Sequence, residues 1–284
     1  MALGIRPDSP TVGLSMIELY DPATGTRAIG PSPTHLRARP ESLLLPDGRV
    51  IAFGGEYTGN DPSSLVLTNA GTVQNVTQVA DLFDPISDSW RPMSDMTRFI
   101  HYHNVSVLAP DGRVMTTAGA GSSGPFGDDD SVEAFEPPYL FWGIRPRIDS
   151  VSSTELEVGG TYSLQVSLTE QVTRVVLLGT RAVTHWVDSG TERYLTPAFS
   201  QNGPTATFTL SDDPAVSLPG YYILFAMVDD VPSHGIVLPI KANTPELFLR
   251  SLDVESGMFT AGWNSLGSNY LYPVEESPTL ATGS

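Results

Sequence analysis

The chain has 284 residues, 40% hydrophobic and 17% charged, enough to bury a full core and hold two domains. Its 32 acidic against 15 basic residues give a formal charge of -17, which repels nucleic acid and leaves a cation, a neutral sugar or a small aldehyde as acceptable partners. The absence of cysteine excludes disulfides, thiolate metal sites and thiol nucleophiles.

With 26 glycines, 24 prolines and little helical periodicity before residue 245, the chain reads as a turn-rich all-β protein. Residues 1 to 20 lack the basic start and continuous apolar stretch of a secretion signal, so no export address is visible. No apolar run approaches the roughly 20 residues of a membrane span.

Met16 to Thr26 reads as a strand, an Asp21-Pro22 turn and the beginning of a return strand. The same device recurs at Ala80 to Trp90, with Asp84-Pro85, and at Val132 to Pro137, with Glu136-Pro137. Between these copies lies a second repeated unit. Leu36 to Val50 aligns without a gap with Ile100 to Val114, and each copy centres on Pro-Asp-Gly-Arg-Val and ends in small residues, Gly54-Gly55 and Ala118-Gly119. The resulting order gives four strands per repeat at a spacing of about 50 residues, the signature of propeller blades. Tyr57 to Gln78, polar and rich in Asn and Thr, reads as an insertion on one face.

Only about two and a half such units are present, whereas a closed propeller needs at least about four. Isolated blades expose strand edges. The sequence therefore predicts a fragment, a split gene product or a chain completed by a partner, with Met1 not the start of the ancestral domain. The last blade holds the most distinctive stretch. Tyr102-His103 stands immediately before the strand Val105 to Ala109, at a place where a rigid element can hold a ligand side chain still.

From Pro146 the pattern changes to about seven short alternating strands, including Thr161 to Ser167, Val172 to Leu178, Thr205 to Leu210, Leu218 to Val228 and Ile236 to Ile240, the count of an immunoglobulin-like sandwich. Beyond Lys241, Thr244-Pro245 predicts the start of a short helix, and Gly267 to Ser284 has a disordered composition. The domains expected are 1–141, a partial propeller; 142–241, the sandwich; and 242–284, a partly disordered extension.

Three blocks, Tyr102-His103 with Leu108 to Val114, Leu177 to His185, and Leu218-Pro219-Gly220-Tyr221-Tyr222, closely resemble the C-terminal half of galactose oxidase and its glyoxal oxidase-like relatives over roughly residues 15 to 241. The resemblance implies the last blades of a kelch-type β-propeller followed by an immunoglobulin-like early-set β-sandwich. It also implies a copper ion held by two histidines and two tyrosines, one of them cross-linked to a cysteine and carrying a radical. Carried over, Tyr102 takes the place of the axial tyrosine, His103 of the first histidine and His185 of the second, the last reached by a loop of the sandwich. The radical tyrosine and its cysteine partner belong to earlier blades that this sequence does not contain. Imidazole nitrogen and phenolate oxygen are suitable Cu(II) ligands, and the metal's charge lowers a phenol pKa far below its usual value of about 10.

Each candidate has a plainer alternative. Tyr102 as a strand-edge aromatic would fill a propeller core, and His103 and His185 would be ordinary hydrogen-bonded histidines. Arg39 occupies in one blade the position of His103 in the next, which makes it a candidate to orient substrate; its alternative is a solvated pair with Glu41. His35, His101 and His234 match no ligand position and read as surface or loop histidines. Asp128-Asp129-Asp130 lacks calcium-loop spacing and reads as a solvated loop. Trp186 is a packing candidate that would cover the site. The function implied is the C-terminal part of a copper-radical oxidase, converting a primary alcohol or aldehyde with O₂ to an aldehyde or acid and H₂O₂, inactive alone without the radical half. The alternative is a non-catalytic module that binds carbohydrate or protein. If the parent follows the family, it is extracellular.

Overall fold

A computed structural model describes residues 2–3, 17–35, 37, 40–57, 64–69, 72–97, 104–117, 131–167, 171–184, 187–188, 192–242, 249–255 and 258–263. Among these the regular elements are strands, apart from a single 3-10 turn at Pro138–Phe141. Contacts divide the chain into two units, Met1–Lys241 and Ala242–Ser284.

The first unit opens with an antiparallel sheet of β1 (Ala2–Leu3), β2 (Ile17–Asp21) and β3 (Thr26–Ile29). A four-stranded meander follows, made of β4 (Glu41–Leu44), β5 (Val50–Phe53), β9 (Val79–Asp84) and β10 (Ser89–Asp95) in that spatial order. Between its second and third strands, β6 (Glu56–Tyr57), β7 (Ser64–Asn69) and β8 (Thr72–Thr77) form a separate sheet, so the polar insertion has strand structure of its own. A second meander consists of β11 (Ser106–Leu108), β12 (Val114–Thr117) and β13 (Val132–Phe135). Antiparallel meanders of this kind are the units from which propellers are built.

The two repeated Pro-Asp-Gly-Arg turns share their atomic detail. Gly48 (φ +90°) and Gly112 (φ +87°) adopt the left-handed backbone that only glycine enters without strain. Their amides donate to the carbonyls of Leu45 and Ala109, both at 2.9 Å. In each turn the aspartate accepts the arginine backbone amide, Arg49 to Asp47 and Arg113 to Asp111, at 3.0 Å. The meanders share one core of Leu43, Ile51, Phe53, Leu82, Val114, Phe135 and Tyr139. Phe53 and Phe135 meet edge to face at 5.4 Å.

The sandwich comprises β14 (Ile148–Val151), β15 (Leu156–Glu157), β16 (Thr161–Val166), β17 (Arg174–Gly179), β18 (Val183–Thr184), β19 (Val187–Asp188), β20 (Tyr194–Leu195), β21 (Ala198–Asn202), β22 (Thr205–Thr209), β23 (Gly220–Val228), β24 (Val231–Pro232) and β25 (Ile236–Lys241). One sheet runs β14-β16-β22-β21. The other runs β15-β25-β23-β17-β20, with β24 paired to β23. Leu164, Val175, Leu177, Phe208, Leu224 and Leu238 fill the space between them.

The expected alternation fails in β17 and β23. Val175 to Gly179 and Tyr222 to Met227 are buried without interruption. The reason is a second covered face, on which Val176, Leu178, Ile223, Phe225 and Met227 pack together with Leu44 of β4 and Leu108 of β11. A strand covered on both sides reads as a continuous apolar run.

Both Pro-Asp-Gly turns dock on the sandwich. Tyr194 donates its hydroxyl to the Pro46 carbonyl at 3.0 Å. Arg49 bridges Asp47 (2.8 Å), Asp84 (3.0 Å) and Asp230 (3.5 Å). At the second turn Arg145 donates to the carbonyls of Asp111 (2.6 Å), Pro232 (3.0 Å) and Ser233 (2.8 Å), and the Gly235 amide donates to Pro110 at 2.6 Å.

In the second unit, β26 (Leu249–Glu255) and β27 (Met258–Trp263) form an antiparallel hairpin. The start of the helix expected from Thr244 lies outside the described residues, and its expected continuation at Leu249 to Leu252 is strand. Local capping signals favour a helix start, but β26 finds a cross-strand partner rich in β-formers, including Phe259, Thr260 and Trp263.

Candidate functional site

The predicted ligands Tyr102, His103 and His185, the predicted substrate residue Arg39, Trp186 and the Asp128 to Asp130 run lie outside the described residues. The structure describes what surrounds them in sequence. Among the described residues no group of three or more His, Asp or Glu side chains is placed to hold a metal ion.

The strand that follows Tyr102-His103 is held firmly. Thr117 exchanges two bonds with Val105: its amide donates to the Val105 carbonyl at 2.9 Å, and its hydroxyl accepts the Val105 amide at 3.0 Å. Ser106 is buried, with its hydroxyl on Thr116 at 2.8 Å. Asn104, the residue directly after His103, is 1% exposed, yet neither atom of its amide has a hydrogen-bond partner among the described residues. A buried orphan of this kind costs about 1–3 kcal/mol and marks a place where a further group belongs.

His185 is approached from β17. That strand ends at Gly179, and the Thr180 amide is tied to the Tyr221 carbonyl at 2.9 Å. Arg181 then turns back into the first unit's meanders. Its Nη2 lies 2.6 Å from Glu41 Oε1, its Nη1 donates to the Ser106 carbonyl at 3.0 Å, and its Nε lies 3.6 Å from Glu192 Oε1. The same Glu192 oxygen accepts the Leu44 amide at 2.8 Å. Two residues beyond Arg181 the hairpin of β18 and β19 begins, with Val183 opposite Asp188 and Thr184 opposite Val187.

Glu41 is fully buried, and Arg39, with which the sequence would pair it, lies outside the described residues. A cavity of about 170 Å³ lies beside this cluster, walled by Leu44, Val107, Leu108, Leu178, Arg181 and Glu192.

Upstream of Arg39, a second buried charge group organises the chain. The Arg37 guanidinium has no solvent exposure and donates to the carbonyls of Gly54 (2.7 Å) and Val79 (2.5 Å) and to Asp81 Oδ2 (2.8 Å). His35 adds its backbone amide to Asp81 at 3.1 Å and its Nδ1 at 3.0 Å. His35 stands in a loop, as expected, but its ring is held by a fully buried aspartate rather than by solvent. Sequence reasoning missed Arg37, Glu41, Asp81, Arg181 and Glu192. One signal was available for Arg181, a lone charge inside the apolar stretch Val175 to Val183.

Residues 145–240 match the family described as galactose oxidase-like, early set domain. A galactose oxidase of Gibberella zeae is 26% identical over 240 residues, covering 80% of this chain and 33% of its own length. An aldehyde oxidase of Vitis pseudoreticulata is 32% identical over 213 residues, covering 68% of this chain and 39% of its own length. A solved fungal alcohol oxidase in complex with copper superposes with a TM-score of 0.66 at 22% identity, over 76% of this chain and 44% of that one. The chain spans 33% and 39% of the length of these two curated relatives.

Proposed function

We propose, from the premise that this chain is of the galactose oxidase and glyoxal oxidase-like family, that it is the C-terminal part of a copper oxidase. The reaction is a primary alcohol plus O₂ giving an aldehyde plus H₂O₂, or an aldehyde plus O₂ and water giving an acid plus H₂O₂. Following the family, the protein acts outside the cell.

One observation carries this reading. Arg181 precedes His185 by four positions and Ser106 follows His103 by three, so the 3.0 Å bond between Arg181 and the Ser106 carbonyl ties together the two segments that hold the predicted ligands. Two imidazoles and a phenol suit Cu(II), and the amide of Asn104, next to His103 in sequence and without a partner among the described residues, is of the kind that orients a metal-bound imidazole. In this assignment His103 and His185 bind the metal through nitrogen, Tyr102 binds through its phenol oxygen, and Arg39 orients the substrate's oxygen. Copper supplies a one-electron acceptor and a Lewis acid. The two-electron oxidation needs a second acceptor, and a chain without cysteine cannot build the cross-linked tyrosine that serves this purpose in the family. The chain is accordingly a metal-binding portion that needs complementary blades to turn over, and we expect it to be inactive alone.

The test is Cu(II) titration of the purified chain, with peroxide measured on galactose, glycerol and methylglyoxal. Submicromolar binding lost in His103→Ala and His185→Ala supports the assignment. Unchanged metal content in both variants together with a hit in a glycan-binding screen would replace it with the binding-module alternative. Robust turnover by this chain alone would overturn the requirement for a complementary half.

A further inference from the structure

We infer that Arg181 is a positioning residue: its buried ion pair with Glu41 and its bond to the Ser106 carbonyl fix the sandwich loop so that His185 is presented to the segment carrying Tyr102 and His103. The inference rests on the copper assignment above and adds to it a residue with no part in ligation.

Arg181 is anchored by the Glu41 carboxylate at 2.6 Å and the Ser106 carbonyl at 3.0 Å, with the Glu192 carboxylate a nearby charge at 3.6 Å, beyond hydrogen-bond distance. Its side chain is 5% exposed and that of Glu41 is 0% exposed, so solvent does little to screen the pair. The two Nη groups of the planar guanidinium address Glu41 and the Ser106 carbonyl together, whereas a lysine ammonium on a flexible stem is a point charge that cannot reproduce the fork. The three neighbours come from different places: Glu41 from β4, Ser106 from β11 and Glu192 from the segment just before β20. Glu192 in turn grips the β4 backbone through Leu44. The loop leaving β17 is therefore fastened to both meanders immediately ahead of the β18–β19 hairpin. Groups hydrogen-bonded to a metal ligand change metal affinity by about 10- to 100-fold when removed, and a residue that fixes the ligand's loop acts on the same geometry.

The experiment compares Cu(II) affinity by chelator competition and the Cu(II) EPR spectrum of the full 284-residue chain with those of Arg181→Lys, Arg181→Gln and the double variant Arg181→Met/Glu41→Gln. The double variant removes both charges and so leaves no buried carboxylate without its cation. Arg181→Gln and the double variant are expected to bind Cu(II) about 10- to 100-fold more weakly. Their EPR nitrogen splitting should fall from two imidazoles to one, and amide exchange in Val183 to Asp188 should speed up in the metal-free protein. Arg181→Lys should recover part of the affinity. A double variant that folds with wild-type affinity and an unchanged two-nitrogen spectrum overturns the inference while leaving the copper assignment standing. A wild-type chain with no two-nitrogen Cu(II) signal overturns both.

Discussion

Replacing Asp81 by asparagine tests whether the charge buried in the first meander holds the approach to Arg39 in place. Asp81 is wholly buried in β9 and receives the Arg37 guanidinium at 2.8 Å and His35 at 3.0 Å. Asparagine keeps the size and one carbonyl oxygen but deletes the negative charge, leaving a fully buried guanidinium beside a neutral amide. Breaking one side of a buried pair costs about 3–5 kcal/mol. Arg37 retains its bonds to the Gly54 and Val79 carbonyls, which places the loss near the lower end, at about 3 kcal/mol. For a unit of this size that is a fall in Tm of about 6–12 °C. Thermal and urea unfolding followed by circular dichroism, run on Asp81→Asn, Arg37→Met and the double variant, provide the cycle. The double variant should lose less than the two single losses combined by about 1–3 kcal/mol, because it buries no unmatched charge. A shift under about 2 °C in Asp81→Asn, or a coupling below about 0.5 kcal/mol, would show that the pair is not holding this segment.

Three further outcomes are expected. Tyr139→Phe removes the hydroxyl that donates to the Gly112 carbonyl at 2.5 Å and should cost about 1–2 kcal/mol at neutral pH, read from the urea midpoint. Burial, with the Asp47 charge adding to it, holds the Tyr139 phenol well above its ordinary value of 10.0; the folded state therefore keeps this proton more tightly than the unfolded chain does. Its contribution is intact below about pH 10 and declines as the pH rises beyond, so the phenylalanine variant should show a shallower alkaline loss of stability. Asn104→Leu removes the unpartnered buried amide and should raise the stability of the metal-free chain by about 1–2 kcal/mol while weakening Cu(II) binding; a loss of stability in differential scanning fluorimetry would contradict this. Gly235→Ala places a methyl group against Ile223 and 2.8 Å from the Phe225 ring, beneath the bond to Pro110, and should lower stability by about 1–3 kcal/mol, visible as a reduced Tm.

The turns were legible because their chemistry is local. Asp47-Gly48 and Asp111-Gly112 specify a tight reversal by side-chain acceptance and left-handed backbone alone, and both form as the repeat predicted. The buried charges were not legible because their partners are supplied by tertiary structure. Arg37, Glu41 and Arg181 look like solvated side chains until Asp81 is brought to the first and the sandwich loop brings the third to the second. The expected helix does not reach Leu249 to Leu252 for a related reason: capping residues act within one turn, whereas Leu249 to Glu255 is decided by pairing with Met258 to Trp263.

The same distinction bears on the site. The motif residues could be picked out by resemblance, but nothing in their types says how a histidine on the sandwich would be aimed at a tyrosine and a histidine on a meander. Two apolar runs, Val175 to Leu178 and Tyr222 to Met227, fix the strand from which the loop toward His185 departs. One of their faces is spent on the sandwich core and the other on Leu44 and Leu108, so β17 has no freedom to slide over the meanders. The loop that leaves β17 inherits that fixed origin, and Arg181 adds a fork of polar contacts where apolar packing ends. A substitution that shaves the outer face alone, such as Leu178→Ala, should therefore weaken copper binding as well as stability, and it touches none of the predicted ligands. The stability loss expected is about 2–5 kcal/mol for a buried leucine. Unfolding and Cu(II) titration of that variant check it, and wild-type copper affinity in a folded Leu178→Ala chain would show that the apolar seat of β17 has no part in aiming His185.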